Sequence, residues 1–124
     1  MSAGEVLVVD DNFNFAKALA KLIGDAGFHA VACHNGGEAL AFAANASLLA
    51  VVLDIHLPDL NGLILAQKLR DRLGATLPII IVSGDTSMET IHSLSHVGAS
   101  YFFPKPVNAG ALVSRLKELV GAST

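Results

Sequence analysis

Five short apolar runs recur along the chain, and they constrain its fold more than any other feature of the sequence. They cover residues 6–9, 29–33, 49–53, 78–82 and 101–103, and the fourth, which starts at Pro78, is the most apolar. Runs of this length bounded by Pro, Gly and Asn predict strands, and nearly continuous apolar character predicts burial on both faces. The runs therefore predict the strands of a parallel sheet.

Segments with helical spacing lie between and after these runs. The first helix is predicted to end near Gly27, and its buried face is predicted from the apolar residues Phe15, Ala18, Leu19, Leu22, Ile23 and Ala26. Further helices are predicted over residues 38–46, 60–73 and 86–97. Asn108 is suited to cap a fifth helix that ends near Gly121.

Strands that alternate with helices through short connections predict right-handed crossovers and a sheet covered on both faces. At 124 residues and 12.8 kDa the chain is expected to form a single domain. The predicted fold class is α/β, a flavodoxin-like doubly wound five-stranded parallel sheet in the order 2-1-3-4-5 with five helices.

Composition excludes several classes of function. No apolar run approaches the ~20 residues that a membrane span needs, so no membrane insertion is expected. A net charge of −3 offers no basic surface, which argues against direct nucleic-acid binding. Cys33 is the single cysteine, which excludes an internal disulfide and fits a reducing, cytoplasmic location.

Charged and hydroxyl side chains follow four of the five predicted strands. Asp10 and Asp11 come after the first strand, Asp54 after the third, Ser83 after the fourth and Lys105 after the fifth. In open α/β sheets, ligands bind outside the carboxyl ends of the strands, where the winding reverses. These five side chains are therefore expected to share one crevice.

Three carboxylates in one crevice repel one another unless a cation joins them. Oxygen ligands select a hard ion such as Mg²⁺, so Asp10, Asp11 and Asp54 are candidate metal ligands. The spacing of Asp54, Pro58 and Gly62 predicts a loop whose backbone offers the metal a carbonyl oxygen, most simply that of His56.

A carboxylate at such a site can also act as a nucleophile towards phosphorus. Asp54 is the candidate acceptor, and Ser83 and Lys105 are the candidate contacts to phosphoryl oxygens. Alone, Asp54 would be more typical of a turn-capping acid; the functional interpretation depends on all four strand ends together.

At these strand ends the chain resembles the receiver domains of two-component response regulators, including the single-domain chemotaxis regulator and the receivers of hybrid kinases. The matching segments occur in the family's order and are Val8-Val9-Asp10-Asp11-Asn12, Asp54-Ile55-His56-Leu57-Pro58 with Gly62, Val82-Ser83-Gly84-Asp85 and Phe103-Pro104-Lys105-Pro106. The resemblance covers essentially the whole chain.

The resemblance implies a phosphorelay protein rather than an enzyme acting on a separate substrate. Asp54 would accept a phosphoryl group from a sensor histidine kinase or a histidine phosphotransfer domain, and the protein would assist its own phosphorylation and dephosphorylation. Asp11, Asp54 and the His56 carbonyl would bind Mg²⁺, or Mn²⁺ in its place, directly, with Asp10 mainly bound through water.

The resemblance also implies which residues would change position when Asp54 is phosphorylated. Ser83 would follow the phosphoryl group, and Phe102 occupies the aromatic switch position, where a tyrosine is frequent. The surface of helix four, strand five and helix five would change, and the bond before Pro106 would be cis. His56 and Asp85, each two residues after a site residue, lie where side chains could control access of the attacking water.

Partners and domain organisation are expected as follows. Residues 1–124 would be one receiver domain with no effector domain in this chain, either a stand-alone regulator or part of a larger protein, with its downstream partner left open. The oligomeric state is expected to be a monomer or a weak dimer.

Phe13 lies outside the predicted buried face of the first helix, just after Asp10 and Asp11. We expect it to contact the phosphodonor.

Two alternatives compete with this interpretation. A haloacid-dehalogenase-like phosphatase with an aspartyl nucleophile would need a second acid two residues after Asp54, where His56 stands. A flavodoxin-type binding module would need a phosphate-cradling loop after the first strand, where Asp10 and Asp11 would repel an anionic cofactor.

Overall fold

A computed structural model describes residues 4–122 of the chain. It contains a parallel five-stranded sheet in the order β2-β1-β3-β4-β5, flanked by five α-helices, which confirms the predicted fold. The elements in chain order are β1 (Glu5–Val9), α1 (Phe13–Asp25), β2 (His29–Cys33), α2 (Gly36–Ala43), β3 (Leu48–Asp54), α3 (Gly62–Leu73), β4 (Ile79–Ser83), α4 (Met88–Leu94), β5 (Tyr101–Pro104) and α5 (Ala109–Ala122). A turn of 3₁₀-helix, Ser95–Val97, continues α4.

The strand registers align the carboxyl ends at one edge of the sheet. Val9 at the end of β1 pairs with Leu53 of β3, and Asp54 pairs with Val82 of β4. Ser83 in turn lies beside Pro104 of β5. This alignment brings the polar residues at the strand ends to one crevice, because all of the strands run in the same direction.

Two hydrophobic layers cover the faces of the sheet. Alternate residues of β1, β3 and β4 point into each layer, as the two-residue period of a strand requires. One layer packs against α2 and α3, and its fully buried members include Leu7, Leu53, Ile79, Ile81, Leu65 and Leu69. The other packs against α1 and α5, and its members include Val6, Val8, Ile80, Ile23, Leu112 and Leu116.

The predicted buried face of α1 was partly wrong. Ala16, Leu19 and Ile23 are the buried residues of this helix, whereas Ala18 and Leu22 are exposed. The sequence offered two overlapping apolar stripes, and the small Ala16 side chain faces the sheet in place of Ala18. The helix ends at Asp25, two residues before Gly27, whose φ of 105° lies in the region that favours glycine.

Several helix boundaries differ from the predicted ones because polar side chains cap the first turns. Asn35 caps α2, which runs over Gly36–Ala43 rather than residues 38–46. Asn61 caps α3 and Ser87 caps α4, so both helices start two residues later than predicted. Asn108 accepts a hydrogen bond from the Ala111 amide at 3.0 Å, which confirms its predicted position at the start of α5.

None of the helices in residues 4–122 combines the length and the apolar character that a membrane-spanning helix needs. Cys33 is buried at the end of β2. Burial, reinforced by the nearby Glu38 carboxylate, raises the pKa of its thiol to about 11.

Candidate acidic site at the strand ends

Three carboxylates meet where β1 and β3 end. Asp10, Asp11 and Asp54 each place an oxygen atom within 4.8 Å of the others, and they are the one such group of possible metal ligands among residues 4–122. The side chains of Asp10 and Asp54 are only 2% and 8% exposed, whereas Asp11 is open to solvent. Buried carboxylates this close together require a compensating positive charge.

Lys105 supplies part of that charge. Its Nζ lies 2.8 Å from Oδ2 of Asp10 and 3.2 Å from Oδ2 of Asp54. Partial burial acts to lower the pKa of Lys105, but the hydrogen bond to Asp10 and the charge of Asp54 act against it, and the net result is a raised pKa. The lysine therefore stays protonated and joins two of the three acids.

The backbone around Lys105 is held against β4. The Lys105 amide donates to the Ser83 carbonyl at 2.9 Å, which continues the pairing of the two strands past their ends. The peptide bond between Lys105 and Pro106 is cis. Ser83 is itself fully buried, and its Oγ accepts a hydrogen bond from the Asp85 amide at 3.0 Å.

The loop after β3 is folded tightly against the phosphoacceptor candidate. The His56 amide donates to Oδ1 of Asp54 at 3.3 Å, and the Gly62 amide donates to the Ile55 carbonyl at 2.6 Å. A Cβ at Gly62 would overlap the carbonyl oxygen of Asp54, so only glycine fits at this position. An isolated bridge between His56 and Asn61 closes the loop.

A contact between the side chains of His56 and Asp85 lies beside the site and was not predicted. Nε2 of His56 lies 3.5 Å from Oδ2 of Asp85, and the pair links the loops that follow β3 and β4. Asp85 also accepts hydrogen bonds from the Ser87 amide at 3.0 Å and from the Thr90 hydroxyl at 2.8 Å. The Ser87 backbone hydrogen bond and then the Thr90 hydroxyl lower the pKa of Asp85 to about 2.

The two aromatic candidates lie at different depths. Phe13 is 66% exposed, and its ring stacks on His34 with centroids 3.7 Å apart and planes only 3° from parallel. The sequence predicted that Phe13 lies near the acids, but no pattern in it indicated the contact with His34. Phe102 lies opposite Ile81 in the sheet and is partly buried against the layer that includes α3.

Arg70 of α3 makes many contacts that sequence analysis did not predict. It is partly buried, and this burial lowers its pKa. Its guanidinium donates to five backbone carbonyls, those of Gly74, Ala75, Leu77, Val97 and Gly98. This cluster of hydrogen bonds joins the end of α3 to the 3₁₀ turn after α4, and no local pattern in the sequence announces it.

Asp59 connects the loop after β3 to the start of α2. Its two carboxylate oxygens accept hydrogen bonds from the Gly36 and Gly37 amides, each at 2.8 Å. These two backbone hydrogen bonds lower the pKa of Asp59. The loop that carries His56 is therefore anchored to a neighbouring helix as well as to β3.

Comparisons with known proteins identify the family. Residues 6–117 match the family model described as the response regulator receiver domain. The chain is 35% identical over 118 residues to the sensory/regulatory protein RpfC of Xanthomonas campestris, and the match covers 92% of this chain but 16% of that protein. It is also 33% identical over 116 residues to the response regulator MprA of Mycobacterium avium, covering 93% of this chain and 50% of that protein.

Solved structures agree with this match. A CheY-like receiver domain protein from Methanospirillum hungatei superposes with a TM-score of 0.91 at 27% identity and covers 98% of this chain and 96% of that one. A response regulator receiver protein from Pseudomonas putida superposes with a TM-score of 0.85 at 32% identity, with 98% of each chain covered. The chain therefore belongs to the response regulator receiver domain family of two-component signalling, although it spans half or less of the length of these curated relatives.

Proposed function

We propose that this receiver domain takes part in a phosphorelay in which Asp54 accepts a phosphoryl group from a phosphohistidine. The observation that carries the proposal is the position of Asp54 at the end of β3. There its carboxylate lies 3.2 Å from the Lys105 ammonium and within 4.8 Å of two further acids. The donor would be a sensor histidine kinase or a histidine phosphotransfer domain.

The transfer is a displacement at phosphorus. A carboxylate oxygen of Asp54 forms the new P–O bond, the P–N bond to the donor histidine breaks, and the leaving imidazole nitrogen takes up the electron pair and then a proton. Lys105 already contacts Asp54 and Asp10, so its ammonium can move a short distance to a phosphoryl oxygen. The Ser83 hydroxyl would accompany that group on its other side.

The donor set fits Mg²⁺, with Mn²⁺ as a substitute, because it consists of hard oxygen ligands. We assign the ion to Asp11 and Asp54, the backbone carbonyl of His56 and, mainly through water, Asp10. When bound, the ion would neutralise the charge that develops on the transferring group. Lys105 already pairs with the buried Asp10 and Asp54 carboxylates.

The output is proposed to pass through the loop between β4 and α4. Ser83 is hydrogen-bonded to Asp85, and Asp85 is hydrogen-bonded to Ser87 and Thr90 at the start of α4. A phosphoryl group that attracts Ser83 would therefore change contacts at the end of this helix. We expect the affected surface to comprise α4, β5 and α5, with rotation of Phe102 as part of the change.

Phe13 is proposed to contact the phosphodonor. Its ring is exposed two residues after Asp11, and stacking on His34 holds it in one orientation. Replacement of Phe13 by alanine should lower the rate of transfer from the cognate donor but leave phosphorylation by acetyl phosphate unchanged. Unchanged transfer and unchanged donor affinity would refute this role.

The family match supports this function and gives no support to the haloacid-dehalogenase-like alternative. The acid that such a phosphatase needs two residues after its nucleophile is replaced here by His56.

Incubation with acetyl phosphate and Mg²⁺, followed by intact mass, tests the proposal directly. We expect one phosphoryl adduct on the wild-type protein and none on Asp54→Asn. The matched control is Asp71→Asn, which removes an exposed acid on α3 and should retain the adduct. No wild-type adduct, or an undiminished adduct on Asp54→Asn, would refute the proposal.

A further inference from the structure

The ammonium of Lys105 has a third neighbour besides the two acids. Its Nζ lies 4.8 Å from the centroid of the Phe15 ring, above the ring face. A lysine ammonium within about 6 Å of an aromatic face is attracted by the negative charge density of that face. Lys105 is therefore held between two carboxylates and one π-face.

The position of Phe15 is coupled to the acidic site through the backbone. The Asn12 amide donates to Oδ1 of Asp10 at 2.9 Å, and the Phe15 amide donates to Oδ1 of Asn12 at 3.0 Å. The first turn of α1 is thus tied to the same carboxylate that binds Lys105. These two hydrogen bonds hold the Phe15 ring beside Lys105, whichever groups the Lys105 ammonium contacts.

The three neighbours of Lys105 are not equivalent during the proposed reaction. Asp10 and Asp54 are also candidate metal ligands, and Asp54 loses negative charge density when it bonds to phosphorus. The face of Phe15 is neither a ligand for a hard cation nor a group that reacts, so its attraction for the ammonium persists throughout.

We propose that Phe15 is a positioning residue that holds the Lys105 ammonium at the site while the two acids are engaged elsewhere. This inference rests on the proposed phosphotransfer function and assigns a role within it. Phe15 also packs against the hydrophobic layer of α1 and α5, so its effect on Lys105 must be separated from its effect on packing.

Fluorinated phenylalanines at position 15 make that separation. Mono-, di- and trifluorination of the ring progressively weaken the negative face with little change in shape. We expect the rate of phosphorylation by acetyl phosphate, measured at saturating Mg²⁺, to fall stepwise by about two- to fivefold in total. Phe15→Leu should show a similar loss, and Phe15→Tyr should retain the wild-type rate.

The same substitutions at Phe42 are the matched control, because Phe42 is also partly buried but packs against the opposite layer of the sheet. Fluorination there should leave the rate unchanged. A rate that does not vary with fluorination at position 15, in a protein that forms the adduct, would overturn the role of Phe15.

A second readout does not depend on phosphotransfer. In the metal-free protein the NMR signal of the Lys105 Cε methylene should carry a ring-current shift that disappears in Phe15→Leu. If no variant and no wild-type protein forms an adduct, the phosphotransfer proposal fails by itself, and an unchanged Lys105 signal would separately overturn the contact with Phe15.

Discussion

Replacement of Lys105 by methionine removes the positive charge that lies between two buried acids. Methionine keeps most of the length and apolar volume of the lysine side chain, so the change is chiefly one of charge. The Asp10 and Asp54 side chains, 2% and 8% exposed, would lose contacts of 2.8 and 3.2 Å. Carboxylates left buried without a cationic partner are strongly destabilising.

The size of the effect follows from the burial of the three groups. Removal of one partner from a fully buried ion pair costs about 3–5 kcal/mol. Since the Lys105 side chain is 28% exposed, water can partly replace it, and we expect a loss of about 2–4 kcal/mol in the metal-free protein at pH 7. For a domain of this size the melting temperature should fall by roughly 8–16 °C.

Mg²⁺ should reverse much of this loss. A ligand at one hundred times its Kd stabilises the folded state by about 2.7 kcal/mol, and the variant should bind the ion more tightly because a competing cation is gone. Urea unfolding with and without Mg²⁺ gives both free energies. The difference in unfolding free energy between the variant and the wild type should become smaller when the ion is added.

Lys21→Met is the matched control, because it removes a lysine from an exposed pair with Asp25 at 3.4 Å. Such a surface pair within one helix contributes less than about 0.5 kcal/mol. Equal losses of unfolding free energy in the Lys105 and Lys21 variants would refute the electrostatic account of the site. So would a difference between the Lys105 variant and the wild type that Mg²⁺ does not reduce.

The pH dependence gives an independent check on Lys105. Its pKa in the folded protein is raised above the ordinary value of 10.5. The folded state therefore holds this proton more tightly than the unfolded state, and the stabilisation is complete below pH 10.5. It should be lost as pH rises through the higher folded value, so the wild type should lose stability there while the methionine variant shows no such step.

Three further predictions concern the surroundings of the site. Gly62→Ala should destabilise the fold by about 2–4 kcal/mol, because the new Cβ meets the Asp54 carbonyl; Gly24→Ala, where a Cβ meets nothing within 4 Å, should be neutral or stabilising in the same urea titration. Asp85 has a pKa of about 2 against an ordinary 3.8, so the stability that its ionised form contributes is present above pH 3.8 and lost as pH falls towards 2. In a plot of unfolding free energy against pH, Asp85→Asn should show a smaller decrease over this range than the wild type. An unchanged decrease would contradict the assignment. Arg70→Gln should cost about 2–3 kcal/mol and speed amide exchange at Gly98, whose carbonyl Arg70 binds at 2.7 Å; unchanged exchange there would refute its role.

Much of the fold followed from patterns that are local along the chain. The apolar runs predicted all five strands, because a strand covered on both faces must be apolar along its whole length. The phase of α1 and the starts of α2, α3 and α4 were less well predicted. Those details depend on which of two apolar stripes meets the sheet and on caps such as Asn35, neither of which hydrophobic spacing alone decides.

The sequence likewise predicted some features of the candidate site and not others. Asp10, Asp54, Ser83 and Lys105 could be grouped from sequence because parallel strands present their carboxyl ends at one edge. The stack of Phe13 on His34 and the pair between His56 and Asp85 could not. Each joins side chains from separate segments of the chain, and its geometry depends on how those segments are folded against one another.

The sequence by itself determined the order of the elements, the burial of the sheet and the set of acids at its edge, because these follow from apolar periodicity and from the position of each residue relative to a strand end. Only the tertiary structure decided what surrounds Lys105. Its contacts with Asp10, Asp54 and Phe15 join residues from three separate parts of the chain. Distances across the crevice depend on strand register and helix phase together, and no local pattern encodes them.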